Sequence, residues 1–195
     1  MNKARSFSPA LALALAAAAL LLTGSAWAAT PSTLSDDELR AINTAVAEAG
    51  PVSMNVVYQT FTGSIKDTGS FLQTFCANFA DQGLGARYTP DQITAVVVLT
   101  ADPDTTTAAT LAVGFAVPDQ LVVRPPLRAQ KLSFSQAVRF THVGPYEQLG
   151  AVEDAISSFL GSTRRTLFPA LLRLYTDPTT VDPSEIRTEM VVPVG

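Results

Sequence analysis

The chain has 195 residues, with 13 Lys and Arg against 17 Asp and Glu, a net charge of −4, one His, one Cys and one Trp. An acidic chain without a basic patch is poorly suited to nucleic acid. One Cys makes no internal disulfide, and one His beside it leaves no residue set for a Cys-rich or His-rich metal site, so neither a metal nor another cofactor is expected.

In chain order, Lys3 and Arg5 precede an Ala- and Leu-rich run over residues 9–22 and the small-residue segment "TGSAWAA". A positive start, a short apolar stretch and an A-x-A-like site form a secretory signal peptide. Cleavage is expected after Ala28, which makes the protein periplasmic or secreted. The apolar run is short for a membrane span, so no permanent anchor is expected. Cleavage removes two basic residues and no acidic one, and 11 minus 17 leaves −6. About 165 residues remain, enough for one domain with a core.

Residues 29–50 form a lead-in. Ser35-Asp36-Asp37-Glu38 has the form of a capping box. Leu39, Ile42, Val46 and Ala49 recur at helical spacing, and Gly50-Pro51 stops the helix. Packing on the domain and a spacer role are both compatible with this pattern.

The rest of the chain repeats itself. "VYQTFTG" (57–63) matches "VRFTHVG" (138–144) at an offset of 81. The same offset pairs Phe71, Phe75 and Phe79 with Val152, Ile156 and Leu160, each set marking one helix face. At an offset of 75, "AVVVLTADPDTT" (95–106) falls on "ALLRLYTDPTTV" (170–181), and "LAVGFAVP" (111–118) on "IRTEMVVP" (186–193). Asp102-Pro103 and Asp177-Pro178 read as matching turns. Each copy is thus strand, helix, strand, turn, strand. The predicted fold is α+β: tandem β-α-β-β units, an antiparallel sheet with its helices on one face, and a ligand pocket at the pseudo-twofold junction. The halves are 51–118 and 131–195, joined by a linker over 119–130 that Arg124-Pro125-Pro126 keeps extended.

Positions that differ between the copies are the candidates for chemistry. Glu189 falls on Gly114, which leaves room opposite a carboxylate. Tyr175 falls on Thr100, Arg173 on Val98 and the single His142 on Phe61. Strand alternation puts Leu171, Arg173 and Tyr175 on one face and Leu172 and Leu174 on the other. Arg173 then either pairs with Glu189 or sits at the rim. His142, in His142-Val143-Gly144-Pro145-Tyr146, is better placed to hold a turn than to catalyse. Cys76 reads as a small buried thiol.

"RFTHVGPYEQLGAVEDAISSFL", "LYTDP" and "IRTEMVVPV", in this order, resemble the GyrI-like, or effector-binding, domain family over about residues 51–195. The resemblance implies a tandem strand-helix-strand-strand fold around a central pocket. It also implies a pocket carboxylate at Glu189, with Tyr175 as its aromatic neighbour and a leaning toward lipophilic, even cationic, ligands. Arg173 stands where the family often has an acidic residue, which opposes that leaning. The mature chain lacks Trp, so further aromatic contacts fall to Tyr58, Tyr146 or Tyr88, or to Phe. A signal peptide does not suit the regulator role of many relatives. Three readings follow: an exported binding protein with Glu189, Tyr175, Arg173, Gly114, Tyr58 and Tyr146 at its site; a cell-envelope interaction module without ligand; and a hydrolase of strained-ring or activated molecules. The hydrolase would use Glu189 as a general base, with burial raising its pKa.

Overall fold

The computed structural model describes residues 34–63, 68–99, 109–162, 164–167, 169–176 and 180–195. The expected signal peptide (residues 1–28) and the expected turns at Asp102-Pro103 and Asp177-Pro178 fall outside the described residues.

The lead-in is a helix, α1 (Asp36–Ala47), and its capping box is complete: the Ser35 hydroxyl accepts from the Glu38 backbone N–H, and the Glu38 carboxylate accepts from the Ser35 N–H. Acidic residues fill its first turn, where they suit the helix dipole. The helix packs on the domain, against α3 and β4 defined below, with Ile42 and Val46 buried.

Two units of the same order follow. The first is β1 (Gly50–Gly63), α2 (Thr68–Asp81), β2 (Thr94–Leu99) and β3 (Ala109–Val117). The second is β4 (Arg128–Val143), α3 (Leu149–Leu160), β5 (Ala170–Leu174) and β6 (Arg187–Pro193). Every pairing is antiparallel. The sheet closes on itself in the order β1-β3-β2-β5-β6-β4, which leaves these strands no open edge. Closure depends on the two long strands. The first part of β1 pairs with the first part of β4 (Val52↔Phe134 to Tyr58↔Arg128). On its other edge β1 pairs with β3 from Asn55↔Val117 onward, so Asn55 to Tyr58 are bonded on both sides, and β4 pairs with β6 from Ala137↔Pro193 onward.

The strands alternate between two apolar faces. One face carries Val57, Val113, Phe115, Val138, Phe140, Leu172 and Met190, and all three helices pack on it through Ile42, Phe75, Phe79, Val152 and Ile156. Phe75, Phe79 and Phe115 meet edge to face or tilted at centroid separations of 5.1–5.6 Å. The opposite face contains no helical residue and is built from small or branched side chains, among them Val56, Val96, Val98, Ala112, Ala116, Leu171 and Val191. This is the barrel interior. From Thr188 onward β6 is therefore buried on both sides, rather than half wet.

Strand register refines the comparison of the halves. Val57 pairs with Phe115, and its counterpart Val138 pairs with Val192. The offset between β3 and β6 is then 77 (192 minus 115), not 75. By pairing, Glu189 corresponds to Ala112 rather than to Gly114. Gly114 lies opposite Tyr58 in β1, and a Cβ there would come within 2.0 Å of the Val57 carbonyl oxygen. The space beside Gly114 is filled by the backbone of β1. That close approach is what requires glycine here.

Candidate functional site

Glu189 points to the interior side of β6. It pairs laterally with Thr141 of β4 and with Arg173 of β5, so both neighbouring strands bring polar groups to it. The residue is 4% exposed. Such a carboxylate is tolerable only if its lone pairs are satisfied. Four donors do this. Arg139 donates from Nε at 2.8 Å and from Nη2 at 2.5 Å to Oε1. Arg173 Nη1 donates to Oε2 at 2.8 Å, and the Tyr175 hydroxyl donates to the same oxygen at 3.0 Å. The Arg173 guanidinium also stacks over the Tyr175 ring, 5.1 Å from its centroid.

The charge state of Glu189 follows. Burial alone pushes its pKa up and is the largest single influence; the Arg139 and Tyr175 hydrogen bonds and the two guanidinium charges together outweigh it and hold the carboxyl below its ordinary 4.5. This corrects the expectation of a raised pKa. A carboxylate that is ionised, weakly basic and engaged by four donors is not a free general base toward water. Tyr175 is shifted upward, by burial first and then by the adjacent Glu189.

Arg173 and Tyr175 thus sit with Glu189. Arg139 completes the group, although its place in "VRFTHVG" gave it no special mark. The available signal was a charged residue at the centre of a strand, on the alternation opposite to Val138 and Phe140. The other candidates lie elsewhere. Tyr58 packs against the interior cluster and donates its hydroxyl to Gln130 Oε1 at 3.2 Å. Tyr146 packs on the helix-covered side, away from the interior face. Gly114 lies at the β1–β3 contact described above. His142 is buried, with Nδ1 3.6 Å from the Glu38 carboxylate of α1. A Cβ on Gly144 would stand 2.7 Å from His142 Nε2, so the glycine lets the turn close over the ring. Burial, partly offset by Glu38, lowers the His142 pKa.

A groove of about 650 Å³ opens beside the Glu189 group. One wall is α1, through Ala41, Thr44, Ala45 and Glu48; the start of β1 (Gly50, Pro51, Val52) forms a second. Ala137, Arg139 and Glu189 form the floor. It lies beneath α1, where the start of β1 from the first half meets β4 and β6 of the second. Among the described residues no cluster of three or more His, Cys, Asp or Glu side chains is placed to hold a metal ion. No helix among them is long and apolar enough to cross a membrane.

An α+β domain with a buried ion-pair group beside a groove of ligand size has the architecture of a small-molecule-binding domain. The GyrI-like small molecule binding domain family matches residues 52–195, and the chain belongs to that family. Similar solved structures include the EcmrR C-terminal domain, at 14% identity and TM-score 0.59, covering 75% of this chain and 95% of that one. An EcmrR–DNA complex gives the same identity and TM-score, with this chain spanning 56% of that longer chain. An uncharacterized conserved protein from Listeria innocua matches at 12% identity and TM-score 0.57, covering 75% of this chain and 92% of that one. At such identities the likeness concerns the fold. No curated protein matches the sequence. Helix α1 precedes the matched residues, so one wall of the groove comes from outside the family domain.

Proposed function

We propose that this chain is an exported small-molecule-binding protein that takes a lipophilic ligand in the groove between α1 and the β4–β6 face. The observation that carries this reading is the groove itself. It has the volume of a typical ligand site, and it sets the small side chains of Ala41, Ala45, Val52 and Ala137 among the polar groups of Thr44, Glu48, Arg139 and Glu189. The engagement of Glu189 by four donors favours binding over hydrolysis. Its burial favours a ligand site over a module whose charges face water. Export rests on the basic, apolar and small-residue pattern of residues 3–28. The shared order and pairing of the two halves supports an internal duplication.

The test is a thermal-shift panel of lipophilic compounds on the mature protein, with Ala41→Trp as the blocking variant. Ala41 is an exposed wall residue, so the substitution fills the groove without disturbing the core. Binders are expected to raise the melting temperature of the wild type and not of the variant. A broad panel with no binder, or shifts that survive the block, sinks the reading. An N-terminus at Ala29 in exported material, read by intact mass, tests the cleavage.

A further inference from the structure

The electrostatics of the floor bear on what the groove accepts, provided that it binds small molecules as proposed above. A carboxylate has about four acceptor positions, and the protein supplies four donors to Glu189. No acceptor capacity is left for the N–H groups of a cationic ligand. Two guanidiniums share this one anion, so the group as a whole is positive.

Its outermost cation is Arg139, whose side chain is 55% exposed. Arg139 gives Glu189 its Nε–Nη2 edge. The other edge, made by Nη1 and the second Nη2 hydrogen, meets no protein acceptor among the described residues. That edge is a planar two-donor fork of the shape that matches a carboxylate. Arg139 lines the groove together with the small side chains of Ala41, Ala45, Val52 and Ala137.

We infer that the ligand is an amphipathic carboxylic acid, whose carboxylate takes the free edge of Arg139 while its apolar body lies against α1 and the start of β1. Glu48 is the opposing charge. It is exposed on the α1 wall and pairs with neither arginine among the described residues, so it repels an anion through screened water rather than at contact.

The experiment compares three compounds sharing one body: 4-phenylbutyric acid, its amide and 4-phenylbutylamine. Calorimetry at low salt is expected to rank the acid about ten-fold or more above the other two, since only the acid forms charge-assisted bonds with the fork. Added salt should narrow that gap. Arg139→Gln should abolish the acid's advantage. Glu48→Lys leaves the Glu189 group intact and should strengthen acid binding several-fold, which protects the test if Arg139→Gln folds poorly. Equal binding of the three compounds, preference for the amine, or no response to Glu48→Lys overturns the inference. If lipophilic compounds from the broad panel bind while the acid has no advantage, only the choice of ligand class falls. If nothing binds, the small-molecule reading falls with it.

Discussion

Replacing Glu189 with Gln changes one oxygen and removes the charge around which β4, β5 and β6 converge. Two of the four hydrogen bonds then lack an acceptor, because the amide nitrogen faces donors. Arg173 loses most. Its side chain is 22% exposed, and its Nε is already buried without a hydrogen-bond partner. Arg139, at 55% exposure, recovers much of its hydration. Breaking a fully buried ion pair costs about 3–5 kcal/mol, and the exposure of Arg139 brings the expectation here to about 2–4 kcal/mol. For a domain of this size that lowers the melting temperature by about 5–15 °C. Circular-dichroism melts and urea titrations of the two proteins measure it. The pH dependence gives a second check. A carboxyl whose folded pKa is depressed stabilises the fold above its unfolded pKa, and that stability is lost as pH falls through the folded value. The gap between wild type and Glu189→Gln should be full near neutrality and should close as pH falls below the ordinary 4.5. Equal melting at neutral pH, or a gap unchanged in acid, would refute the account of Glu189 as the ionised centre of this group.

Two further expectations concern parts of the fold away from the groove. Gly114→Ala places a Cβ 2.0 Å from the Val57 carbonyl oxygen, so β1 and β3 must separate; a melting temperature within a degree or two of wild type would contradict the close approach. Cys76 is buried, and burial pushes its thiol up to about 12. It should ignore a thiol reagent in the native protein and react promptly in denaturant, and fast native labelling would show an opening that the packing does not allow for.

Much of the fold is legible because it is written locally. The capping box at Ser35–Glu38, the four-residue spacing of Phe71, Phe75 and Phe79, and the alternation of Leu171 to Tyr175 each concern neighbours in sequence. The order of motifs then pointed to the right family. Barrel closure is not legible, because it depends on β1 and β4, far apart in the chain, pairing with each other along one edge while their other edges take β3 and β6. The counterpart of Glu189 was misplaced for a related reason. One offset of 75 carried through the last two strands follows spacing along the chain, whereas pairing register fixes neighbours across strands, and the two differ by two residues in β6. A shift of two keeps a side chain on its face, so the alternation of the strand does not expose the error.

The sequence by itself determined the identity and the family of the chain's elements: a lead-in helix, two strand-helix-strand-strand units, and a carboxylate set in the last strand. Tertiary structure alone decided what that carboxylate does. Arg139 lies 50 residues from Glu189 and Arg173 lies 16 away, and only the β4–β6 and β5–β6 registers bring their guanidiniums to its oxygens. Burial and charge then compete at one atom group, and the outcome depends on distances that no spacing in the sequence encodes. The same holds for α1, a helix whose sequence allows either a spacer or a packed wall. Its contacts with α3 and β4 make it the wall of the groove.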